Sequence, residues 1–462
     1  MSAPQRGAAY TLLNLEIVVT DTIAEKAMKK RKSRFSTKTI LASWGAWQIR
    51  LALWGGALAV GLAATLFAKA ADYANEVFHL VLAQGSWLPF ILTPAGLMLV
   101  SWLTRNWFPG TQGSGIPQAL AALEAHSRDG LRSKMLSMRI AFGKIFLTLL
   151  GLGVGASIGR EGPTVHVGAS IMYALGRRVR FSPHYLEKAL ILGGGSAGIA
   201  AAFNTPIAGI VFAIEELSRS FEQKTNGIVL AAVIFAGVTA QAVLGNYNYF
   251  GISSASMGDW HDWLAIPLGG VVGGLLGGTF SQILVSGSER LAPLRSRYPI
   301  WIAAICGLSI AVIGFTSGGL SYGTGYNEAK DIIHHAAGSE IGIGYPFYKF
   351  FATVASYLSG IPGGIFAPSL AAGAGVGADM AHLFPQISAD VLIMLGMVGY
   401  FTGVVQSPIT GFIIVMEMTD NHSLLLPLMA TSFLANGVSK LVCKKPIYHA
   451  LAAAFLPHKK AA

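Results

Sequence analysis

One glutamate stands inside a glycine- and proline-punctuated break, Gly159-Arg160-Glu161-Gly162-Pro163, in a sequence that is otherwise largely apolar. A second break, Gly364-Ile365-Phe366-Ala367-Pro368, follows 205 positions later. Lys144 and Lys349 each lie nineteen residues before the closing proline, and Gly168 and Gly373 five after it. A third break, Gly113-Ser114-Gly115-Ile116-Pro117, has the same design of glycines leading into a proline. Proline suits the first helical turn because its missing N–H would go unpaired there anyway. Each break therefore opens a helix whose free amides and positive dipole end favour an anion. One such segment alone reads as an ordinary interhelical turn. Three together, two of them related by duplication, point to a binding site on a transport path, because irregular backbone at membrane depth survives only where protein or a watery cavity satisfies it.

The elements that carry these breaks must lie in a membrane. The chain has 462 residues, 53% hydrophobic and 12% charged, against about 25% charged in soluble domains, and reads as an all-α polytopic membrane protein. Apolar runs recur, among them Trp44–Ala68, Ala189–Ile214, Leu264–Val285, Val391–Met416 and Leu424–Val442; a crossing helix needs roughly 20 residues. The 56 glycines suit close helix packing, since lipid supplies little hydrophobic force between helices. Two cysteines, Cys306 and Cys443, form no disulfide framework or metal-ligand pattern and read as small packing residues.

The net charge of +11 is concentrated rather than spread. Lys26, Lys29, Lys30, Arg31, Lys32, Arg34 and Lys38 crowd one amphipathic segment before the first apolar run, as a cytoplasmic anchor does; this distribution argues against a nucleic-acid partner. Clusters at Arg128–Arg139, Arg177–Arg180, Arg290–Arg297 and Lys440–Lys445 mark the same side and make both termini cytoplasmic. The segments Asp72–Trp87 and Asn246–Trp263 contain acids but no Lys or Arg, as outward loops do. No secretory signal is visible in the first 24 residues, and only 14 residues follow Tyr448, too few for a soluble C-terminal domain. The layout expected is a basic N-terminal segment (1–43), a first transmembrane repeat (44–245), an extracytoplasmic linker (246–263), a second repeat (264–451) and a tail (452–462).

The repeat extends beyond the breaks. Ala208-Gly209-Ile210 after Pro206 answers Thr410-Gly411-Phe412 after Pro408 at an offset of 202, which also sets Glu215 on Glu417. Gly113-Ser114-Gly115 answers Gly323-Thr324-Gly325. Inverted repeats would bring corresponding breaks face to face near the midplane. Glu215 and Glu417, duplicated, are expected to share work in helix packing or a polar network.

On these residues the chain resembles the CLC chloride channels and proton-coupled chloride transporters. The three breaks look like that family's signature motifs in order and spacing, and the similarity runs from about Trp44 to Leu451, taking in Ala202-Phe203-Asn204, Glu215-Glu216 and Pro446-Ile447-Tyr448. The resemblance implies an inverted-repeat bundle of tilted and partly re-entrant helices, a homodimer with one anion path per subunit. It makes Ser114 and Tyr448 hydroxyl ligands of a central chloride, joined by the backbone N–H groups of Ile365 and Phe366. Outside the motifs, Ser114 would read as a helix cap and Tyr448 as an interfacial anchor. Donors without a full countercharge suit a dehydrated chloride that must also be released.

The resemblance makes Glu161 an external gate whose carboxylate competes with chloride. A carboxylate at this depth costs roughly 3 kcal/mol unless paired or protonated, and the plain alternative is a structural pair with Arg160. Glu216 matches the internal proton-transfer glutamate of the exchangers, where channels carry an apolar residue; otherwise it is a solvated helix end near Arg219. The implied function is exchange of chloride for protons in a bacterial plasma membrane, needing no cofactor or metal, with a chloride channel of the same fold as the alternative. Ser114 and Pro163 match the chloride pattern rather than that of fluoride- or nitrate-preferring relatives. An intramembrane hydrolase using Glu215 and Glu216 is disfavoured, because adjacent helical residues point about 100° apart. Gly151, Gly153 and Ala156 form only a loose dinucleotide fingerprint inside an apolar run. His334 and His335 lack metal-ligand spacing and read as loop or solvated surface, and His166 reads as a packing residue.

Overall fold

The computed structural model describes residues 44–125, 130–178, 184–218, 223–245, 247–335 and 341–456. The basic segment around Lys26–Lys38, Arg128, Arg180, Arg219 and the end of the tail lie outside the described residues. The described residues from Leu53 onward form one compact unit.

Helices make up the regular structure, and no strand forms among the described residues. Among the described residues, seven helices are long and apolar enough to cross a membrane. Others are short or glycine-rich and open at the breaks: Ile116–Glu124, Glu161–Arg178 and Phe366–Leu383. The helix Ala265–Arg297 packs against Ala389–Val405 through small residues; a Cβ on Gly277 would meet the Tyr400 carbonyl at 2.5 Å. This is the backbone proximity that glycine permits between membrane helices.

Several expectations are corrected. The segment Asp72–Trp87 is not an outward loop: the helix begun at Trp44 continues to Gln84. Asp72 and Glu76 are exposed on this helix, and Asp72 pairs with Arg160. The runs Ala189–Ile214 and Val391–Met416 are each two helices, His184–Phe203 then Pro206–Phe212, and Ala389–Val405 then Pro408–Thr419. Each run turns at a left-handed residue, Asn204 at φ 57° and Gln406 at φ 58°, one residue pair before a proline that cannot continue the preceding helix. Their side-chain amides hold the turns, Asn204 on the Tyr247 carbonyl and Gln406 on that of Cys443, both at 2.6 Å. Arg132, assigned to a basic cluster facing one side, is buried: it donates to the carbonyls of Ala122 and Ala125 at the end of the helix Ile116–Glu124, and pairs with Glu187 at 2.6 Å.

The two halves clasp each other. Glu417 accepts from the amides of Ile207 and Ala208 at 3.0 and 2.6 Å, and Glu215 accepts from those of Ile409 and Thr410 at the same distances. Each acid thus caps the opening turn of the helix belonging to the other half, where free amides and the dipole favour a carboxylate.

Candidate functional site

The three breaks meet. Gly159 and Gly364 exchange backbone hydrogen bonds in both directions at 2.7 Å, while Gly113 donates to the Ile361 carbonyl at 3.1 Å and accepts from Gly363 at 3.3 Å. These pairings satisfy backbone groups that no helix serves and set the openings of three helices around one buried centre. Contact at the junction is tight enough to require glycine. A Cβ on Gly162 would strike the Ser114 side chain and meet its carbonyl at 2.8 Å, and one on Gly115 would meet the Gly162 carbonyl at 2.8 Å. Ile116 and Pro117 then begin the first of these helices, and Ala367 and Pro368 continue the first turn of the third.

Ser114 and Tyr448 contribute hydroxyls to this region. Both side chains are fully buried, and neither hydroxyl has a hydrogen-bond partner among the described residues. Such orphaned buried groups are uncommon in proteins and mark a ligand or a functional strain. Tyr448 sits on the short helix Ile447–Ala452, its ring stacked on Phe366 with centroids 5.9 Å apart. Phe366 is in turn fixed edge-on by Phe401 at 4.9 Å and by Phe212 at 5.9 Å. Ile365 caps the helix that Phe366 opens, so their amides belong to the group that no intrahelical carbonyl can take. Neutral hydroxyl and amide donors of this kind suit a small anion rather than a cation. Tyr357, not singled out from the sequence, lays its hydroxyl against Gly113 and the Ser114 backbone.

Glu161 begins the helix Glu161–Arg178 and is fully buried. Both oxygens of its carboxylate are buried and have no hydrogen-bond partner among the described residues. Arg160 is engaged elsewhere, donating to the Ala68 carbonyl at 2.6 Å and to Asp72, so the structural pair Arg160–Glu161 is not what forms.

Two buried lysines support the glycine turns. Lys144 donates to the Gly113 carbonyl at 3.1 Å, and Lys349 to the carbonyls of Ser321, Tyr322 and Gly323 at 3.2, 2.9 and 2.9 Å. The charge of each is spent on carbonyls of corresponding turns, Gly113-Ser114-Gly115 and Gly323-Thr324-Gly325.

Glu216 is buried in a π-helical turn, Ala213–Ser218. Wide turns of this kind occur often at functional sites. Ser407 donates to Glu216 Oε2, and His449 Nε2 lies 3.8 Å from Oε1. A cavity of about 590 Å³ opens onto Ser114 and Tyr357 and is lined further out by Glu289, Arg295 and Ala450.

The weaker signals resolve simply. His166 packs with Nε2 on the Met135 carbonyl, and Gly151 and Gly153 lie within the helix Met138–Gly153. His334 and His335 close the helix Tyr326–His335, not a loop, and remain exposed. Among the described residues no group of His, Cys, Asp or Glu could hold a metal ion.

Comparison with solved structures places this arrangement. A slow cyanobacterial Cl⁻/H⁺ antiporter superposes with a TM-score of 0.77 at 25% identity, covering 89% of this chain and 99% of that one. A CLC-type fluoride/proton antiporter gives 0.74 at 23% identity, with coverage of 89% and 99%, and a eukaryotic CLC transporter 0.70 at 20%, with 88% and 74%; these two bear on the fold alone. The all-α membrane bundle is therefore the inverted-repeat CLC architecture. The family model described as voltage gated chloride channel matches residues 96–440, most of the chain and all three breaks, and the chain belongs to that family, the CLC proteins.

Proposed function

We propose that the protein exchanges chloride for protons. The observation that carries this reading is the meeting of two buried hydroxyls without partners among the described residues, Ser114 and Tyr448, with helix openings that include Glu161 and Phe366. Chloride is held there by the two hydroxyls and by the amides of Ile365 and Phe366. Glu161 takes its place when charged and withdraws when protonated. Glu216 receives protons from the other side, so chloride and protons share the outer part of the route and diverge inward. Exchange over a channel is supported by the acid at Glu216, buried yet bonded to Ser407; likeness to a Cl⁻/H⁺ antiporter agrees. The two ion gradients supply the energy, and no cofactor enters. We further propose a homodimer in a plasma membrane with both termini cytoplasmic, and repeats spanning 44–245 and 264–451.

Paired chloride and proton flux in reconstituted vesicles tests the proposal. The parent should move protons against their gradient when chloride drives it. Glu216→Val should keep chloride flux and lose proton movement, and Glu161→Ala should make chloride flux insensitive to pH. Retained proton pumping in either variant would refute the assignment. A reversal potential that does not shift with a proton gradient would make the protein a channel.

A further inference from the structure

The short helix Ile447–Ala452 has neighbouring residues with different tasks. Tyr448 keeps a buried hydroxyl that has no partner among the described residues, and Ala450 and Leu451 line the 590 Å³ cavity that also reaches Ser114. His449 does neither. It reaches Glu216, with Nε2 3.2 Å from the Glu216 carbonyl and 3.8 Å from carboxylate Oε1. A carbonyl only accepts, so this nitrogen carries the hydrogen. The histidine side chain is 20% exposed, whereas that of Glu216 is 2% exposed.

Two other groups at this acid are already committed. Ser407 donates to its second oxygen, and the adjacent Glu215 is taken up by the amides of Ile409 and Thr410. The π-helical turn separates the two acids, one onto a helix opening and the other towards the histidine. Among the described residues, His449 is a titratable side chain that both touches Glu216 and reaches water.

We infer that His449 is the residue that carries protons between solvent and Glu216, along a route kept apart from the chloride cavity by its own helix. Histidine suits this work because its ring exchanges protons near neutral pH. In the loading step a hydronium ion from the solvent gives a proton to Nδ1 and leaves as water. The Nε2–H bond breaks, its electron pair stays on nitrogen, and the proton forms a bond to Glu216 Oε1. The ring is left neutral, with hydrogen on Nδ1, and returns to the Nε2–H form by exchange with water. Unloading reverses these steps, and no other reactant is needed. A small rotation closes the 3.8 Å gap to hydrogen-bond distance, about 3 Å.

The inference rests on Glu216 being the inner proton site, and the experiment separates the two. Proton and chloride fluxes are recorded together in liposomes for the parent, His449→Gln and His449→Ala, the last with and without added imidazole. Glutamine keeps the hydrogen bond to the carbonyl but cannot relay a proton. We expect the proton-to-chloride ratio to fall at least threefold in both variants and imidazole to restore it in His449→Ala. A parent that moves no protons overturns the exchange reading and this inference with it. A parent that pumps, with an undiminished ratio in His449→Gln, overturns the role of His449 alone. Loss of both fluxes together without imidazole rescue assigns the residue to packing and also overturns it.

Discussion

Tyr448→Phe separates a chloride ligand from a structural hydroxyl by the sign of its effect on stability. The tyrosine ring is held by stacking on Phe366, which phenylalanine keeps. Its hydroxyl is buried and has no partner among the described residues, so the substitution deletes no hydrogen bond among them. It removes instead a desolvated polar group of the kind that costs about 1–3 kcal/mol when left unpaired. In chloride-free buffer the variant should melt no lower than the parent. With chloride present the order should invert. A hydrogen bond to a charged group contributes about 1.5–3 kcal/mol, and each 1.4 kcal/mol is about tenfold in affinity. The chloride Kd should therefore rise about 10- to 150-fold. Calorimetric titration of detergent-purified protein gives the Kd directly. Melting across a chloride series gives it again, because ligand stabilises by RT ln(1 + [L]/Kd). A variant that melts lower without chloride and binds it as tightly as the parent would show the hydroxyl to be structural and would sink this account of the centre.

Glu417→Ala leaves the amides of Ile207 and Ala208 without their acceptor and should lower stability by about 2–4 kcal/mol. Glu215→Ala should match it, as measured by denaturant unfolding of each variant. Gly162→Ala drives a methyl group into Ser114; chloride affinity by titration should fall more steeply than melting temperature, since the displaced group is the proposed ligand. Lys349→Met strips the donor from three carbonyls, each costing about 1–3 kcal/mol when unsatisfied. Thermal unfolding should register a loss larger than for the single-carbonyl Lys144→Met.

The sequence made the breaks legible because glycine and proline act locally. Their spacing also exposed the duplication, and the structure gives Glu215 and Glu417 reciprocal tasks at the same offset. What escaped was set by distant partners. Asp72 looked like an outward-loop acid because its guanidinium partner, Arg160, lies 88 positions away. The turn at Asn204 was hidden inside an apolar run, since its left-handed backbone is held by a side-chain bond to Tyr247, 43 positions on. Arg132 counted as a surface charge until its buried carbonyl partners and Glu187 were known. His449 carried no motif of its own; what distinguishes it is a contact across 233 positions, although its place directly after Tyr448 offered a clue.

The mutual capping of the halves also constrains how the chain is made. The amide of Ala208 is synthesised 209 positions ahead of Glu417, the acid that completes its helix. At about 5–20 residues per second that opening turn stands exposed for about 10–40 s, long after its own residues have been inserted. Neither half can reach its final hydrogen bonding alone. Severed and co-expressed, the two fragments should need each other before either resists proteolysis.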